Sequence, residues 1–516
     1  MAKILFIHPY AESNFGRQSI PLALIYTLLK KNGHICEIFD TTFLDNKILR
    51  DGRPNHEEEL TKLNYFKAYN EKRLKSLINS GNIFQMLQDK INNLDPDLIT
   101  FSFWGSHLHA EGEYFAYQNG LKLINNVQIK EKCKVAVGGT IPSSNPKSVL
   151  KSENKIDYVI KGEPELVYLD IANKIDEKKD LNNTDNLNYL SNGELIFNKL
   201  RPLIDPLDQL PDVDMGIYDD KNFIRPYHGN LVRMLDFELS RGCWYRCTFC
   251  LSPFQRELTY NKAKNFRREK SIDKIIREIS SLKRKHRLEF IRYQDESFNS
   301  IKENKLKDLS KEYKSKVNLP FIIEATINTS TENRIKYLSE MGCVSVGLGI
   351  ESGSERLRNE VIIKPKFSNA QAIEVINCYK KHNISVTAYN IIGFPTETKE
   401  DVLETINLNY LSKPNYSTMS FFQPWEGTSL KKSSIAEGYL DKAYFESGYS
   451  PGQQGGSILN LNTIKNSELK HYHDYFSYYI NLPKKMHWLI NLSQKNKIFS
   501  NSIKFILDLF LKYKKF

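Results

Sequence analysis

What most constrains this chain is an alternation of short apolar strands with amphipathic helices, run twice. Ile4–Ile7, Ile35–Phe39, Leu98–Phe103, Val135–Val137 and Tyr158–Ile160 read as strands. Helical periodicity fills the gaps, as in Pro21–Lys31, which Gly33 ends. Such alternation implies parallel pairing, because each crossover helix returns the chain to the same edge before the next strand. Ligands of these sheets bind beyond the carboxyl ends of the strands. A second series runs from near Val232 to about residue 430, with strands at Leu235–Leu239, Leu288–Tyr293, Phe321–Ile327, Val344–Ile350, Val386–Ile392 and Thr418–Phe422. Six strand–helix units predict a partial or full parallel barrel. The expected class is α/β: an N-terminal doubly wound, Rossmann-like domain, a partial (β/α)6 TIM-type barrel and a helical C-terminal tail. Cys243, Glu296, Glu351 and Pro395 each follow a predicted barrel strand, so they are expected to converge on one face.

The first domain is expected over 1–178, with a polar insertion or lid at about 43–80. A connecting segment follows over 179–231, punctuated by Pro202, Pro206, Pro211 and Pro226, with a hairpin turn at Ser191-Asn192-Gly193. The barrel should occupy 232–440 and the helical extension 441–516. Ser271 is a natural N-cap for a helix bearing Ile272, Ile275, Ile276, Ile279 and Leu282, and Thr398 with Asp401 resembles a capping box. The extension holds an aromatic stripe, Tyr472, Tyr475, Phe476, Tyr478 and Tyr479, expected to fill a core. After it comes an apolar-rich helix, Ile503–Tyr513, expected to pack on the barrel, with peripheral membrane contact as the alternative.

The 516 residues exceed one ordinary core, and 40% apolar with 26% charged residues describe a soluble globular protein. No apolar run approaches a membrane span, and the short start before Ile4 is no secretory signal, so a cytoplasmic protein is expected. The net charge of +12 is spread along the chain without a compact basic block, which argues against nucleic acid as partner.

Of seven cysteines, four are scattered singly in apolar segments. The other three, Cys243, Cys247 and Cys250, lie in Ser-Arg-Gly-Cys-Trp-Tyr-Arg-Cys-Thr-Phe-Cys over 240–250. That is a poor disulfide framework and a good metal or cluster site. A closed zinc site wants four tetrahedral ligands, and no fourth His or Cys stands nearby at a matching spacing. Three thiolates can instead hold a four-iron cluster that leaves one iron without a protein ligand.

This run, with Phe249 before its last cysteine, resembles the signature of radical S-adenosylmethionine (SAM) enzymes. Phe266–Ser271 resembles their basic segment before the first barrel helix, and Tyr293–Phe298, with Asp295 and Glu296, their acidic second-strand motif. Gly347-Leu348-Gly349-Ile350-Glu351-Ser352-Gly353 resembles the strand end that places glycines and polar groups against SAM, and Ile391–Thr398, with Gly393 and Pro395, the adenine-side turn. Pro424-Trp425-Glu426-Gly427-Thr428 resembles a Pro-Gly-Thr ending with Glu426 where Pro is usual. The N-terminal domain resembles the B12 (cobalamin)-binding domains fused to many such enzymes. The likeness rests on Pro21–Tyr26 through Gly33 and Asp40, Asp95–Ser102, Gly138-Gly139 and Gly162-Glu163-Pro164-Glu165. It departs from them where His8-Pro9-Tyr10 replaces a cobalt-ligating Asp-x-His-x-x-Gly; His107 and His109 follow the wrong strand for that role.

The resemblance implies a 4Fe–4S cluster on Cys243, Cys247 and Cys250, with SAM held by Phe249, Asp295, Glu296, Gly347, Gly349, Glu351, Ser352, Gly393 and Pro395. Cobalamin would sit against Ser102, Gly138, Gly139, Gly162 and Glu163. It further implies a 5′-deoxyadenosyl radical that takes a substrate hydrogen, and a methyl group delivered from cobalamin to an unactivated carbon. An external one-electron reductant, flavodoxin- or ferredoxin-like, and a small-molecule, natural-product or lipid-type substrate follow. Oxidative cyclisation uses the same architecture. A non-catalytic cobalamin or Fe–S sensor would have lost the open iron or the SAM motifs, which this chain retains. A tRNA methylthiotransferase would carry a second cysteine triad, absent here.

Overall fold

The structure, a computed structural model, describes residues 1–10, 16–45, 47–50, 76–101, 110–152, 155–259, 264–441, 455–495 and 500–513. Most of the expected insertion at 43–80, together with Ser102, His107 and His109, lies outside them. The chain divides into two compact units. One comprises Met1–Trp244, Leu251–Phe298 and Asp308–Phe321; the other comprises Tyr245–Cys250, Asn299–Lys307 and Ile322–Phe516.

The first unit opens with β1 (Lys3–His8), α1 (Ile20–Lys31), β2 (Ile35–Asp40), α2 (Ile83–Leu94), β3 (Leu98–Phe101), α3 (Ala110–Asn125), β4 (Lys134–Val137), β5 (Tyr158–Ile160) and α4 (Glu165–Asp176). The Ser19 hydroxyl caps α1 by accepting from Leu22 N, and Pro21 stands in its first turn, where no amide proton is needed. A hairpin of β6 (Leu187–Ser191) and β7 (Glu194–Phe197) completes a sheet of order β2-β1-β3-β4-β5-β6-β7. Pairings among the first five strands are parallel; β6 and β7 pair antiparallel. The order reverses between β1 and β3, the switch point of a doubly wound sheet. Leu5, Ile7, Ile99, Val135, Val137 and Val159 bury against Ile83, Leu87 and Ile91 of α2 and Leu121 and Ile124 of α3.

The turn at Asn192-Gly193 has φ of 50° and 80°, the backbone a two-residue hairpin needs. The expected connection at 179–231 is therefore in part structural: residues 187–197 add two strands to the N-terminal sheet. Both strands are short, β6 partly buried and β7 without a buried residue, so they lack the apolar run that marks β1 or β3.

The same unit continues with β8 (Ile224–Tyr227), β9 (Asn230–Phe237), α5 (Ile272–His286) and β10 (Phe290–Tyr293). β8 and β9 form an antiparallel hairpin; β10 pairs parallel with β9 from Met234↔Phe290 to Phe237↔Tyr293. Ser271 caps α5 as expected, accepting from Lys274 N, and Ile275, Ile276, Ile279 and Leu282 are buried.

After α6 (Glu303–Lys316) come β11 (Phe321–Ala325), α7 (Glu332–Met341), β12 (Cys343–Glu351), α8 (Asn369–Lys381), β13 (Ser385–Ile392), α9 (Lys399–Ser412) and β14 (Tyr416–Phe421). β12, β13 and β14 pair in parallel. The Thr398–Asp401 capping box is present in both directions. From β9 to β14 the strand–helix succession is that of a partial (β/α)6 barrel. The extension contributes α10 (Ser429–Ala436), α11 (Asn466–Asn481), α12 (His487–Lys495) and α13 (Ser500–Tyr513). Tyr472, Tyr475, Phe476, Tyr478 and Tyr479 of α11 bury against Ile392, Met419, Phe421, Val402 and Ile406, so the aromatic stripe is core.

Candidate functional site

The cysteine loop begins in the first unit, directly beyond β9, where its start is tied down by charge. Leu239 N and Ser240 N donate to Asp295, at 3.1 and 2.6 Å, and the Ser240 hydroxyl donates to the same carboxylate. A two-residue ladder, Ser240↔Glu269 and Arg241↔Arg268, fastens the loop to the segment before α5. Gly242 has φ of +86°, and a Cβ there would lie 2.3 Å from Phe266 O, so only glycine lets the chain turn into Cys243 at that approach.

Arg241 is the hub of this end. Its Nε donates to Glu238 at 2.9 Å and its Nη2 to Glu165 at 2.5 Å; Glu163 lies 3.5 Å from Nη1. Arg268 grips Glu163 with both Nη atoms, at 3.0 and 2.6 Å. Arg241, Arg268, Glu165 and Glu238 are all buried. Burial works against the Arg241 charge, but Glu165, Glu238 and Glu163 outweigh it and hold the guanidinium protonated. Burial pushes the Glu165 carboxyl up. The turn beyond β5 thus uses Glu163 and Glu165 as ion-pair partners of the cysteine loop's base. Glu163, expected against cobalamin, is held there by Arg268 and lies beside Arg241.

Gly138 and Gly139 follow β4, and Gly162 follows β5; Gly139 and Gly162 both have φ of 87°. Since β1, β3, β4 and β5 are parallel, these turns share one edge with His8 at the end of β1. His8 Nδ1 lies 3.4 Å from Asp40 at the end of β2, so its ring has an internal carboxylate partner. Small residues in left-handed turns along one sheet edge leave the backbone open to a planar ligand, which fits a cobalamin slot.

Beyond β10, Asp295 is fully buried and its carboxyl is pushed up to about 6 by burial, although the Ser240 and Leu239 donors pull the other way. Burial, reinforced by neighbouring Asp295, pushes Glu296 to about 8. Its Oε2 is sealed from water without a hydrogen-bond partner. A buried carboxyl with an open acceptor beside the cysteine-bearing strand fits a cationic ammonium ligand such as that of SAM.

The rest of the loop belongs to the second unit. Thr248 is fixed on both sides: its N donates to Ile362 O at 3.0 Å, its hydroxyl to Val361 O at 2.7 Å, and its O accepts from Leu430 N at 3.0 Å. Cys250 N donates to Cys247 O at 3.1 Å. Phe249 leans on Phe394, ring centroids 6.0 Å apart. Lys364 Nζ lies 3.1 Å from Glu351 Oε1. Lys364 is buried, which opposes its charge; Glu351, Cys247 and Cys250 override that and hold the ammonium protonated. Burial raises the Cys247 thiol while Lys364 lowers it. None of the three cysteines of the loop is in a disulfide. Thiols facing a buried ammonium are a donor set suited to an anionic iron–sulfur cluster, whose thiolate ligands such a charge stabilises.

Glu351 stands at φ of 64°, where the pairing of β12 with β13 shifts register. Such a strained position at a strand end persists only when its surroundings hold it, here through Lys364. The glycines before it have their own neighbours. A Cβ on Gly347 would lie 1.9 Å from Glu324 Oε2, and one on Gly349 2.4 Å from Glu351 Oε1, so both clear space for carboxylates of the chain. Ser352 is fully buried, its hydroxyl 3.3 Å from that of Thr405. Pro395 is buried in the turn after Gly393, whose backbone N and that of Phe394 donate to Glu397.

Within the units, the structure joins Asp295 to the loop's start and Glu351, through Lys364, to Cys247 and Cys250. Sequence reasoning missed Arg241, Lys364 and Glu324. Lys364, in Ile363-Lys364-Pro365, carries no periodic or spacing signal; Arg241 sits inside the quoted run but reads as an ordinary basic residue.

Residues 237–408 match the Radical SAM superfamily. The chain is 28% identical to "uncharacterized methyltransferase PH0819" of Pyrococcus horikoshii over 352 residues, 68% of this chain and 72% of that one. It is 25% identical to an anaerobic magnesium-protoporphyrin IX monomethyl ester cyclase of Cereibacter sphaeroides over 67% of its own length, spanning about half (54%) of that enzyme. Among solved structures, the fold is shared with the radical SAM methyltransferase TsrM of Kitasatospora setae, solved with cobalamin and an iron–sulfur cluster bound. That match has a TM-score of 0.61 at 15% identity, over 85% of this chain and 78% of TsrM. The cobalamin-dependent SAM radical enzyme OxsB matches with a TM-score of 0.64 at 15% identity, over 99% of this chain and 72% of OxsB. No described helix is long and apolar enough to cross a membrane. The Radical SAM match thus covers the cysteine-bearing strands, and the two-part fold is the one shared with TsrM and OxsB.

Proposed function

We propose that the protein is a cobalamin-dependent radical SAM methyltransferase acting on an unactivated carbon of a small molecule. The carrying observation is the cysteine loop: three cysteines outside any disulfide, Cys247 and Cys250 acting electrostatically on the buried ammonium of Lys364. When bound, the cluster, SAM and cobalamin supply the radical and the methyl group, the difficult part of the chemistry. The chain's own residues hold and orient. Cys243, Cys247 and Cys250 would ligate the cluster, with Lys364 offsetting their charge. Glu296 would accept from the SAM ammonium, Phe249, Gly393 and Pro395 would shape its adenine side, and Gly138, Gly139 and Gly162 would leave the sheet edge open to the corrin. Arg241, tied to Glu163 and Glu165, would keep the base of the cysteine loop in register with that edge. The relative named as a methyltransferase and the shared fold of TsrM and OxsB support this reading.

The likeness to a ring-forming cyclase favours oxidative cyclisation as the second reading. Anaerobic reconstitution with iron, sulfide and a corrinoid, followed by product analysis with SAM and an external one-electron reductant, separates them. Methyl transfer yields S-adenosylhomocysteine beside 5′-deoxyadenosine. A preparation that makes only the latter removes the methyltransferase reading, and one that retains no corrinoid removes the role given to the N-terminal domain.

A further inference from the structure

Fourteen large apolar side chains stand exposed among the described residues, and six of them lie between Trp488 and Phe510. They belong to α12 and α13, two helices in contact with each other. Their inward faces are settled: Ile490, Ile503 and Leu507 bury in the aromatic core of α11, and the Tyr478 hydroxyl donates to Asp508 at 2.6 Å. What remains outside is apolar rather than polar. On α12, Trp488 and Leu492 form an i, i+4 pair; on α13, Phe505 with Leu509 and Ile506 with Phe510 form two more. Trp488 is 63% exposed and Phe505 65%, so these are rings standing in solvent and not the edges of a packed core.

The charge beside this surface has one sign. Between Lys484 and Lys515 the sequence carries eight lysines and a single acid, Asp508, whose carboxylate is taken by Tyr478. Lys484, Lys485 and Lys504 are exposed. Aromatic and aliphatic residues on one face of a short helix pair, flanked only by lysine, are the pattern of a segment that lies in the plane of an anionic bilayer. A second copy of the chain fits worse, because pairing would bring two sets of the exposed Lys484, Lys485 and Lys504 together. An ordinary protein partner fits worse as well, since lysine is depleted from the buried centre of protein interfaces.

We propose that α12 and α13 dock this protein on a membrane surface containing anionic lipid, with Trp488, Phe505 and Phe510 entering the headgroup boundary. The inference does not depend on the chemistry of the cysteine loop. The test is flotation of the full-length, anaerobically reconstituted protein with vesicles of phosphatidylcholine alone or mixed equally with phosphatidylglycerol. Retention should be at least about tenfold stronger on the mixed vesicles and should fall as salt is raised. The triple variant Trp488→Ser, Phe505→Ser, Phe510→Ser should lose that retention while its unfolding midpoint stays unchanged. The variant Lys484→Gln, Lys485→Gln, Lys504→Gln, which keeps the apolar face, should lose retention on the mixed vesicles. Absence of retention on the mixed vesicles, or equal retention by the triple serine variant, would overturn the proposal. So would a concentration-dependent dimer in sedimentation that the serine variant converts to monomer.

Discussion

The two ends of the cysteine loop are held by opposite physics. At Arg241 the first unit packs three carboxylates, Glu163, Glu165 and Glu238, around two guanidinium groups, a buried cluster far too costly to keep without those pairings, in which burial pushes the Glu165 carboxyl up. At Cys247 and Cys250 the second unit places one ammonium, Lys364, with one carboxylate, Glu351, and the thiols add to the hold on the ammonium. The first arrangement is closed on itself and fixes position. The second is a balanced pair that sets a buried ammonium near the thiols, where it opposes the rise that burial gives Cys247. One loop is therefore anchored structurally at its start and electrostatically prepared at its end.

Breaking the closed end should have the largest effect. Arg241→Met leaves Glu165 and Glu238 buried without a countercharge and should cost about 3–5 kcal/mol, read from the denaturant midpoint. Lys364→Met strands only Glu351 and should cost less, about 1–3 kcal/mol, yet lower the iron retained per folded chain several-fold. Equal stability losses with unchanged iron in both would erase the distinction.

A smaller effect isolates the second unit through pH. Burial lifts the Glu397 carboxyl from 4.5 to about 8; Asp401 adds to this and Arg356 opposes it. The folded chain then holds a proton the unfolded chain has lost, so stability falls as pH rises from about 4.5 to 8. Glu397→Gln stays neutral and can still accept from Gly393 and Phe394. Melting curves from pH 5 to 9 should show it flatter than the parent and more stable by about 2 kcal/mol at the alkaline end. A parallel pH slope in the variant would refute the assignment.

The smallest effect sharpens the role of burial. Arg277 makes a two-pronged pair with Asp212 at 2.7 and 2.8 Å, but in water. Arg277→Ala should cost under about 1 kcal/mol. A loss near that of Arg241→Met would mean that geometry, not burial, sets the strength of the Arg241 cluster.

Much of the fold was legible. Ile4–Ile7, Val135–Val137 and Tyr158–Ile160 are continuous apolar runs because parallel strands are buried on both faces, and the structure keeps each within a residue or so. Ser271 and Thr398 announced their helices because a cap is local chemistry. Of β6 and β7 the sequence shows the Ser191-Asn192-Gly193 turn but not the strands, since half-solvated strands of four or five residues lack such a run. In the site, the cysteines, Asp295 and Glu351 stood in readable motifs. Arg241, Lys364 and Glu324 did not, for each acts on a residue of another strand or loop, at a distance in sequence that no period records.

By itself the sequence determined the alternation that makes two parallel sheets, the three thiols in one short loop and the carboxyl-end position of the motifs, all local properties of propensity and spacing. The tertiary structure alone decided which carboxylates pair with Arg241, that Glu296 is sealed from water beyond β10, and that Lys364 acts on Cys247 and Cys250. Those outcomes depend on burial and on partners brought together from far along the chain, and a charge has no fixed meaning until its neighbours and its access to water are set.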